Sequence, residues 1–302
     1  MISSEPQKFV SNPFPLNSPK KFSWLIKVPI EELEEVAKSA ESFYHPFPKK
    51  TGKKERIIHN PTGRLKIIQK KINTWILQKF EFPEFMVGGV KGRKLEDHLK
   101  LHLRKEMVVT LDIKDCFPSI TNQDVYNVFI KLGALSDTAM LATKLTTYKG
   151  QVPLGASTST LLANIVLLPI LIRVKDLVEG HGFDLSQFVD DSAFSGKTLP
   201  TNLISEICRI FSQNGFTISH KKICVMPHSG SQKVTKRIVN QAVGMPRKEI
   251  NRIRSAVNEL RSTPKNDPMY LRRFASVKGR IIGIKKLHPQ IANKFLQEIQ
   301  NG

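Results

Sequence analysis

The sequence predicts an α+β protein, because strand-like and helix-like stretches alternate unevenly along it. Compact apolar runs rich in β-branched residues, above all MVVTLDI at 107–113, read as buried strands. Longer stretches with apolar residues three and four apart read as amphipathic helices, and from Pro246 onward the pattern is helical. At 302 residues, with 40% hydrophobic and 24% charged residues, the chain has the composition of a folded protein of about two domains, or one domain with subdomains. No apolar run approaches the roughly 20 residues that span a bilayer, so no membrane association is expected. MISSEPQKFVSNPFP lacks the features of a secretory signal. Cys116, Cys208 and Cys224 show no CxxC spacing and read as reduced thiols of a cytoplasmic protein.

In order along the chain, IEELEEVAKSAESF (30–43) reads as a short acidic helix entered through Pro29, a residue suited to a first turn. KKERIIHNPTGR gives a strand from Glu55 to His59 and then a Pro-Thr-Gly turn. Leu65, Ile68, Ile72, Trp75 and Ile76 recur at helical spacing, giving a helix to about Phe80. After the 107–113 strand a helix starts near Thr121 or Asn122, either of which serves as N-cap. A long apolar helix runs from about Thr158 to Val178, and DLSQFVDDSAFSG reads as two strands around an Asp pair. Residues 200–214 read as a helix, and KICVM and KRIVNQAVGM as strands. The tail is broken at Pro264, Pro268 and Pro289.

The net charge of +21 is unevenly placed. Residues 49–105 hold 16 basic and 5 acidic residues, and residues 245–302 hold 13 and 4. Residues 106–244 hold 13 and 11, and residues 1–48 hold 5 and 6. Two basic segments around a near-neutral centre suit a protein that grips a polyanion from two sides, and nucleic acid leads the candidates. The bland alternative is that these side chains only solvate exposed faces. The centre holds Asp112 at the end of an apolar strand and Asp190-Asp191 between β-rich flanks. Buried carboxylates are costly without a counter-charge, and three of them converging would make a hard oxygen site for Mg²⁺.

LDIKDCF and FVDD resemble two blocks that define the palm of reverse transcriptases. KKERIIHNPTGRLKIIQKKINTWIL is similar to the fingers segment of retron and group II intron enzymes, and VPLGASTSTLLANIVL to their block of Gly, Ser and an Asn-containing apolar helix. GFTISHKKICVM resembles the block carrying a late lysine, and VTKRIVN the VTG-x-x-VN block of retron enzymes. The blocks follow family order over roughly residues 20–290, and the chain resembles bacterial retron-type reverse transcriptases. The resemblance implies a right-hand polymerase fold: an N-terminal helical extension (1–48), fingers (49–105), an α+β palm with an antiparallel sheet (106–244) and a helical thumb (245–302).

The resemblance further implies that Asp112, Asp190 and Asp191 are catalytic and bind two Mg²⁺ ions, with the backbone carbonyl of Ile113 completing the set. Arg56 pairs with the dNTP triphosphate, Asp115 and Cys116 lie near it, and Phe117 excludes a ribose 2′-hydroxyl. Gly155 lets the backbone approach the nascent base pair, and Lys222, with Lys221 adjacent, protonates the leaving pyrophosphate. Lys53, Lys54 and His98 contact nucleic acid, as do Arg247, Arg252, Arg254, Arg261, Arg272 and Arg273 on the thumb. The implied partners are a structured non-coding RNA serving as template and primer, its RNA–DNA product, and a separately encoded effector in phage defence. The chain departs from the family pattern at Leu154, Ser157, Thr160, Phe188, Val189 and Lys236. Two other readings stay open: a defence-associated or group II intron-like reverse transcriptase with different priming or template-free synthesis, and an RNA-binding module with an inactive polymerase fold.

Overall fold

A computed structural model describes residues 16–51 and 54–301. Helices α1 (Pro19–Ile26) and α2 (Ile30–Lys38) lead into a hairpin of β1 (Tyr44–Thr51) and β2 (Lys54–Pro61). Next come α3 (Gly63–Trp75), the short α4 (Leu95–Lys100) and β3 (Met107–Asp112). Helices α5 (Asn122–Lys131), α6 (Ser136–Thr146) and α7 (Ser159–Gly180) precede a second hairpin, β4 (Asp184–Phe188) and β5 (Asp191–Gly196). Then follow α8 (Leu203–Ser212), β6 (Cys224–Pro227), the small hairpin β7 (Lys233–Val234) and β8 (Arg237–Ile238), and helices α9 (Arg247–Ser262), α10 (Tyr270–Lys285) and α11 (Pro289–Asn301).

β4, β5, β3 and β6 form one antiparallel sheet in that order. Strand alternation puts Val109 and Leu111 on one face and Val108 and Asp112 on the other. Val109 and Leu111 join a large core with residues of α5, α7 and α8, while Val108 packs with Leu99, Ala193, Val234 and Val239. A strand covered on both faces is what the unbroken MVVTL run requires. Thr121 caps α5, exchanging hydrogen bonds with Asp124.

Of the segment expected as an N-terminal extension, the described residues 16–48 are part of the main body. Leu16, Phe22, Ile26, Leu33 and Val36 are buried in the same core as the palm residues, and β1 begins inside it at Tyr44. β1 escapes a sequence reading because Pro46 and Pro48 argue against a strand. Two residues apart, they place both missing donors on the same edge of a hairpin that has only one partner strand. Helices α9–α11 bury Ile253, Val257, Leu260, Ile281 and Phe295 in a cluster separate from the main core. Among the described residues no helix is long and apolar enough to cross a membrane.

The β7–β8 hairpin closes the second face of the sheet. Its two-residue turn holds Thr235 at φ +43° and Lys236 at φ +63°, the left-handed region that a tight hairpin demands and glycine supplies at least cost. The nearby polar groups are paired. His98 Nε2 lies 3.0 Å from Thr235 Oγ1, and the Ser186 hydroxyl meets His98 Nδ1 at 2.6 Å. His102 bridges Ser186 and Ser195 at 2.7 and 2.8 Å. Burial pushes His98 down to about 4 and His102 to about 3, so both rings are neutral.

Two outcomes follow from this face. Lys236→Gly removes left-handed strain and is expected to stabilise the protein by about 0.5–1 kcal/mol, read as a higher urea midpoint. Below the ordinary imidazole value of 6.5, the unfolded chain protonates these histidines before the folded one does. Their contribution is complete above pH 6.5 and is lost as pH falls toward 4. Their share of the stability is therefore expected to decline from pH 7.5 to 5, by up to about 1.4 kcal/mol per pH unit for each ring. It is read by NMR titration of the rings, because the raised carboxyl of Asp191 moves the total the other way below pH 6. Ring signals that titrate near 6.5 would contradict their burial.

Candidate active site

The pairing of β3 with β5 sets Asp112 opposite Asp191. Val189 and Asp190 form the two-residue turn between β4 and β5, and the Asp190 carbonyl accepts from the Ile113 N–H at 3.0 Å. Sheet register alone thus brings the three aspartates to one end of the palm. Val189 sits at φ +59°, a strained position for a β-branched residue.

Several groups overdetermine that turn. The Gln187 side-chain amide donates to the Val189 carbonyl at 2.8 Å and accepts from the Ser192 hydroxyl. The Gln187 backbone N–H donates to Phe85 O at 2.7 Å, and its carbonyl accepts from Val87 and Gly88 at 2.8 and 3.2 Å. Gly88 lies so close that a Cβ there would meet the Val189 nitrogen at 2.4 Å. Asn164 of α7 donates to Gly88 O at 2.8 Å, and the Arg93 guanidinium holds the carbonyls of Phe82, Pro83 and Met86. Sequence reasoning missed Gln187, Ser192, Gly88 and Arg93. Polar residues flanking an Asp pair in otherwise apolar strands, and the Gly88-Gly89 pair, were the available signals.

Burial and the neighbouring aspartates push Asp191 up to about 6. Asp190 is also raised, mainly by burial, against the opposing pull of a backbone hydrogen bond, Arg56 and Lys222. The counter-charge comes from a segment returning beside β3. Ser219 N–H donates to Asp112 O at 2.9 Å, and Lys222 forms an ion pair with the Asp112 carboxylate. Of the adjacent lysines, Lys222 is the one that reaches the acid. Among the described residues no three His, Cys, Asp or Glu side chains stand in a metal-holding cluster.

A cleft of about 530 Å³ opens here, within the range of small-molecule sites. Arg56, Asp115, Cys116, Phe117, Asp190 and Lys222 line it together, as does Ile113. Glu55, Ile57, Lys114, Leu154 and Ser219 are linings that the sequence did not single out. Burial pushes the Cys116 thiol up to about 12, so it stays protonated. Asp115 holds φ +46° in the turn, and Phe117 is half-buried against the core.

Other expected residues lie elsewhere. Gly155, at φ +121°, packs under β2, where a Cβ would meet Ile58 Cγ2 at 2.6 Å. Beside it, Leu154 O accepts from His59 N–H at 2.8 Å, so this loop ties the hairpin to the palm. His98 is fully buried in the polar cluster beneath the sheet, where a nucleic-acid strand does not reach it; packing and hydrogen bonding explain its place in the sequence. Lys53 lies outside the described residues, and Lys54 begins β2. Arg247, Arg252, Arg254 and Arg261 on α9 and Arg272 and Arg273 on α10 are exposed and line none of this cleft.

A four-stranded antiparallel palm with packed helices, a basic hairpin on one side and a separate three-helix unit form a right-hand polymerase fold. The chain belongs to the reverse transcriptase (RNA-dependent DNA polymerase) family, which matches residues 47–249. It is similar to the retron Se72 reverse transcriptase of Salmonella heidelberg, 33% identical over 61% of this chain and 49% of that protein. It is also similar to the retron Mx65 enzyme of Myxococcus xanthus (29%, covering 82% and 62%) and the retron Ec86 enzyme of Escherichia coli (26%, covering 81% and 78%). The chain thus spans about half to three quarters of the length of these relatives. Among solved structures, telomerase from Candida albicans with a TWJ fragment of telomeric RNA is similar at TM-score 0.49 and 11% identity, covering 85% of this chain and 59% of that one. The foamy viral protease-reverse transcriptase with RNA/DNA hybrid gives 0.46 and 14%, covering 84% and 30%.

The buttress under the Asp turn gives a direct outcome. Gly88→Ala is expected to destabilise the protein by about 1–3 kcal/mol, because the methyl group meets backbone rather than a movable side chain. Gly279→Ala, in α10 with open space around it, is expected to be neutral or stabilising by up to about 1 kcal/mol. Parallel denaturant titrations check the contrast.

Proposed function

We propose that this chain is a retron-type RNA-directed DNA polymerase, transferring nucleotidyl groups from dNTPs to a primer hydroxyl on an RNA template. The observation that carries this reading is the meeting of Asp112, Asp190 and Asp191 at one end of the palm, beside a cleft that Asp190, Arg56 and Lys222 line. The donor set suits Mg²⁺: three carboxylates and the Ile113 carbonyl are hard oxygens, and the upward shifts of Asp190 and Asp191 mark a place where positive charge is favourable. Bound divalent ions would activate the attacking hydroxyl and offset charge on the leaving pyrophosphate.

The remaining work falls to the chain. The Arg56 guanidinium offers a fork matched to phosphate oxygens, and backbone groups of the 113–117 turn complete the triphosphate cradle. The Phe117 ring, which lines the cleft, would lie under the sugar and favour hydrogen over hydroxyl at the 2′ position. Lys222 holds a transferable proton at Nζ for the leaving group. The arginines on the outer faces of α9 and α10 provide phosphate contacts to a template duplex, which is read by shape and 2′-hydroxyls rather than by major-groove edges.

Similarity to retron enzymes supports the finer reading. A structured non-coding RNA would supply template and priming hydroxyl, the product would be a joined RNA–DNA molecule, and a separately encoded effector would act with it in phage defence. Protein purified with its bound RNA and supplied with dNTPs and Mg²⁺ is expected to extend DNA. Asp191→Ala is expected to abolish synthesis and leave RNA retention unchanged. Equal synthesis by both proteins would sink the reading.

A further inference from the structure

The chain contains two tryptophans, Trp24 and Trp75, and both stand at one groove outside the catalytic cleft. Trp24, near the end of α1, is 76% exposed, and Trp75, the last residue of α3, is 37% exposed. With Leu25, Val28 and Pro29 they line a largely apolar opening of about 500 Å³. Indoles left in water at one spot mark a surface that something covers.

The charges around the groove say what kind of partner. Lys27 Nζ lies 4.7 Å from the Trp75 ring centroid. Lys27 is itself fixed there: it ends α1 at φ +54°, its N–H bonds Ser23 and Trp24 carbonyls, and its own carbonyl accepts from Lys71 Nζ at 2.6 Å. Lys20 and Lys21 are exposed on α1. Along α3, Ile67, Lys71 and Trp75 fall on one i, i+4 row, and Ile67 is 56% exposed. Among the described residues no acidic side chain lines the groove; Glu31 and Glu32 begin only after Pro29.

We propose that this groove binds unpaired bases of a single RNA strand, stacked on Trp24 and Trp75, with the flanking phosphates held by Lys20, Lys21, Lys27 and Lys71. Aromatic platforms rimmed by lysine are the chemistry of sequence-tolerant single-strand binding. An apolar protein partner would cover the indoles but bury the Lys27 ammonium without a counter-charge. A second copy of this chain would bring like charges together, since each carries +21. RNA satisfies both the rings and the cations. The position also suits a strand already engaged at the cleft. β2, which carries Arg56 into the cleft, turns directly into α3, whose far end about 18 Å along its axis is Trp75.

Because these are the only tryptophans, indole emission from the full chain reports on this groove alone. Titration with a short unstructured oligouridine at low salt is expected to quench that emission saturably, with affinity falling as salt is added. Trp24→Ala, an exposed change, is expected to weaken binding roughly tenfold to a hundredfold in the anisotropy of labelled oligouridine, with the thermal midpoint unchanged. Lys27→Gln combined with Lys71→Gln is expected to reduce the salt slope by about 1.4. Unchanged emission while anisotropy shows the RNA bound would place the RNA elsewhere and overturn the proposal. Emission that changes with protein concentration alone would overturn it in favour of self-association. DNA synthesis enters neither readout, so this groove and the polymerase reading fail separately.

Discussion

Across the β3–β5 ladder Asp112 faces Asp191, an arrangement of like charges that by itself weakens a sheet. Much of the palm can be understood as what makes that pairing tolerable. Lys222 is delivered to Asp112 by a backbone bond from Ser219, and Arg56 reaches the same field from the hairpin opposite. The turn that adds Asp190 is bent through a left-handed valine, and the Gln187 amide, the Ser192 hydroxyl and the contact with Gly88 hold it there. Stability made elsewhere, in the large core beneath Val109 and Leu111, carries the strain. The least favourable place in the molecule is also where the chemistry is proposed to occur.

The second face of the sheet shows how a sequence block can be kept for packing. Val234 and Val239 of VTKRIVN close the small cluster over Val108 and Ala193. Asn240 accepts from Gln232 N–H and donates to the Gly230 and His228 carbonyls, stitching the loop before the hairpin. Buried polar groups in such a site are costly unless all are paired, and the two histidines and their serines meet that condition by bonding one another.

What the sequence made legible was periodic or compositional. MVVTLD, the Thr121 cap, the apolar run of α7 and the basic amphipathic α9 each announce themselves in a short window, and the structure places each within a few residues of expectation. The Asp pair was readable because charge between β-rich flanks is rare. What escaped depended on contacts distant in sequence. Gly88 matters only because Val189, about a hundred residues later, folds onto it, and His98 is buried by partners near Ser186 and Thr235. β1 was hidden because its prolines contradict strand propensity, which a lone edge strand overrides. Trp75 reads as one more apolar residue of a helical pattern, and only the packing of α1 beside α3 sets it with Trp24 at the groove.

The β1–β2 hairpin has a consequence for how this fold can change. Two strands standing alone have little stability of their own, so their direction is set at the base. There Thr62 bonds Phe43 O, and the His59–Leu154 bond and the bare backbone of Gly155 complete the seat. A lever held at one end is easily re-aimed: small substitutions around that seat swing Arg56 without touching the sheet that presents the acids. With Arg56 proposed to hold the triphosphate and the acids to do the chemistry, substrate preference and catalysis would be separable traits in this architecture, free to be altered one at a time.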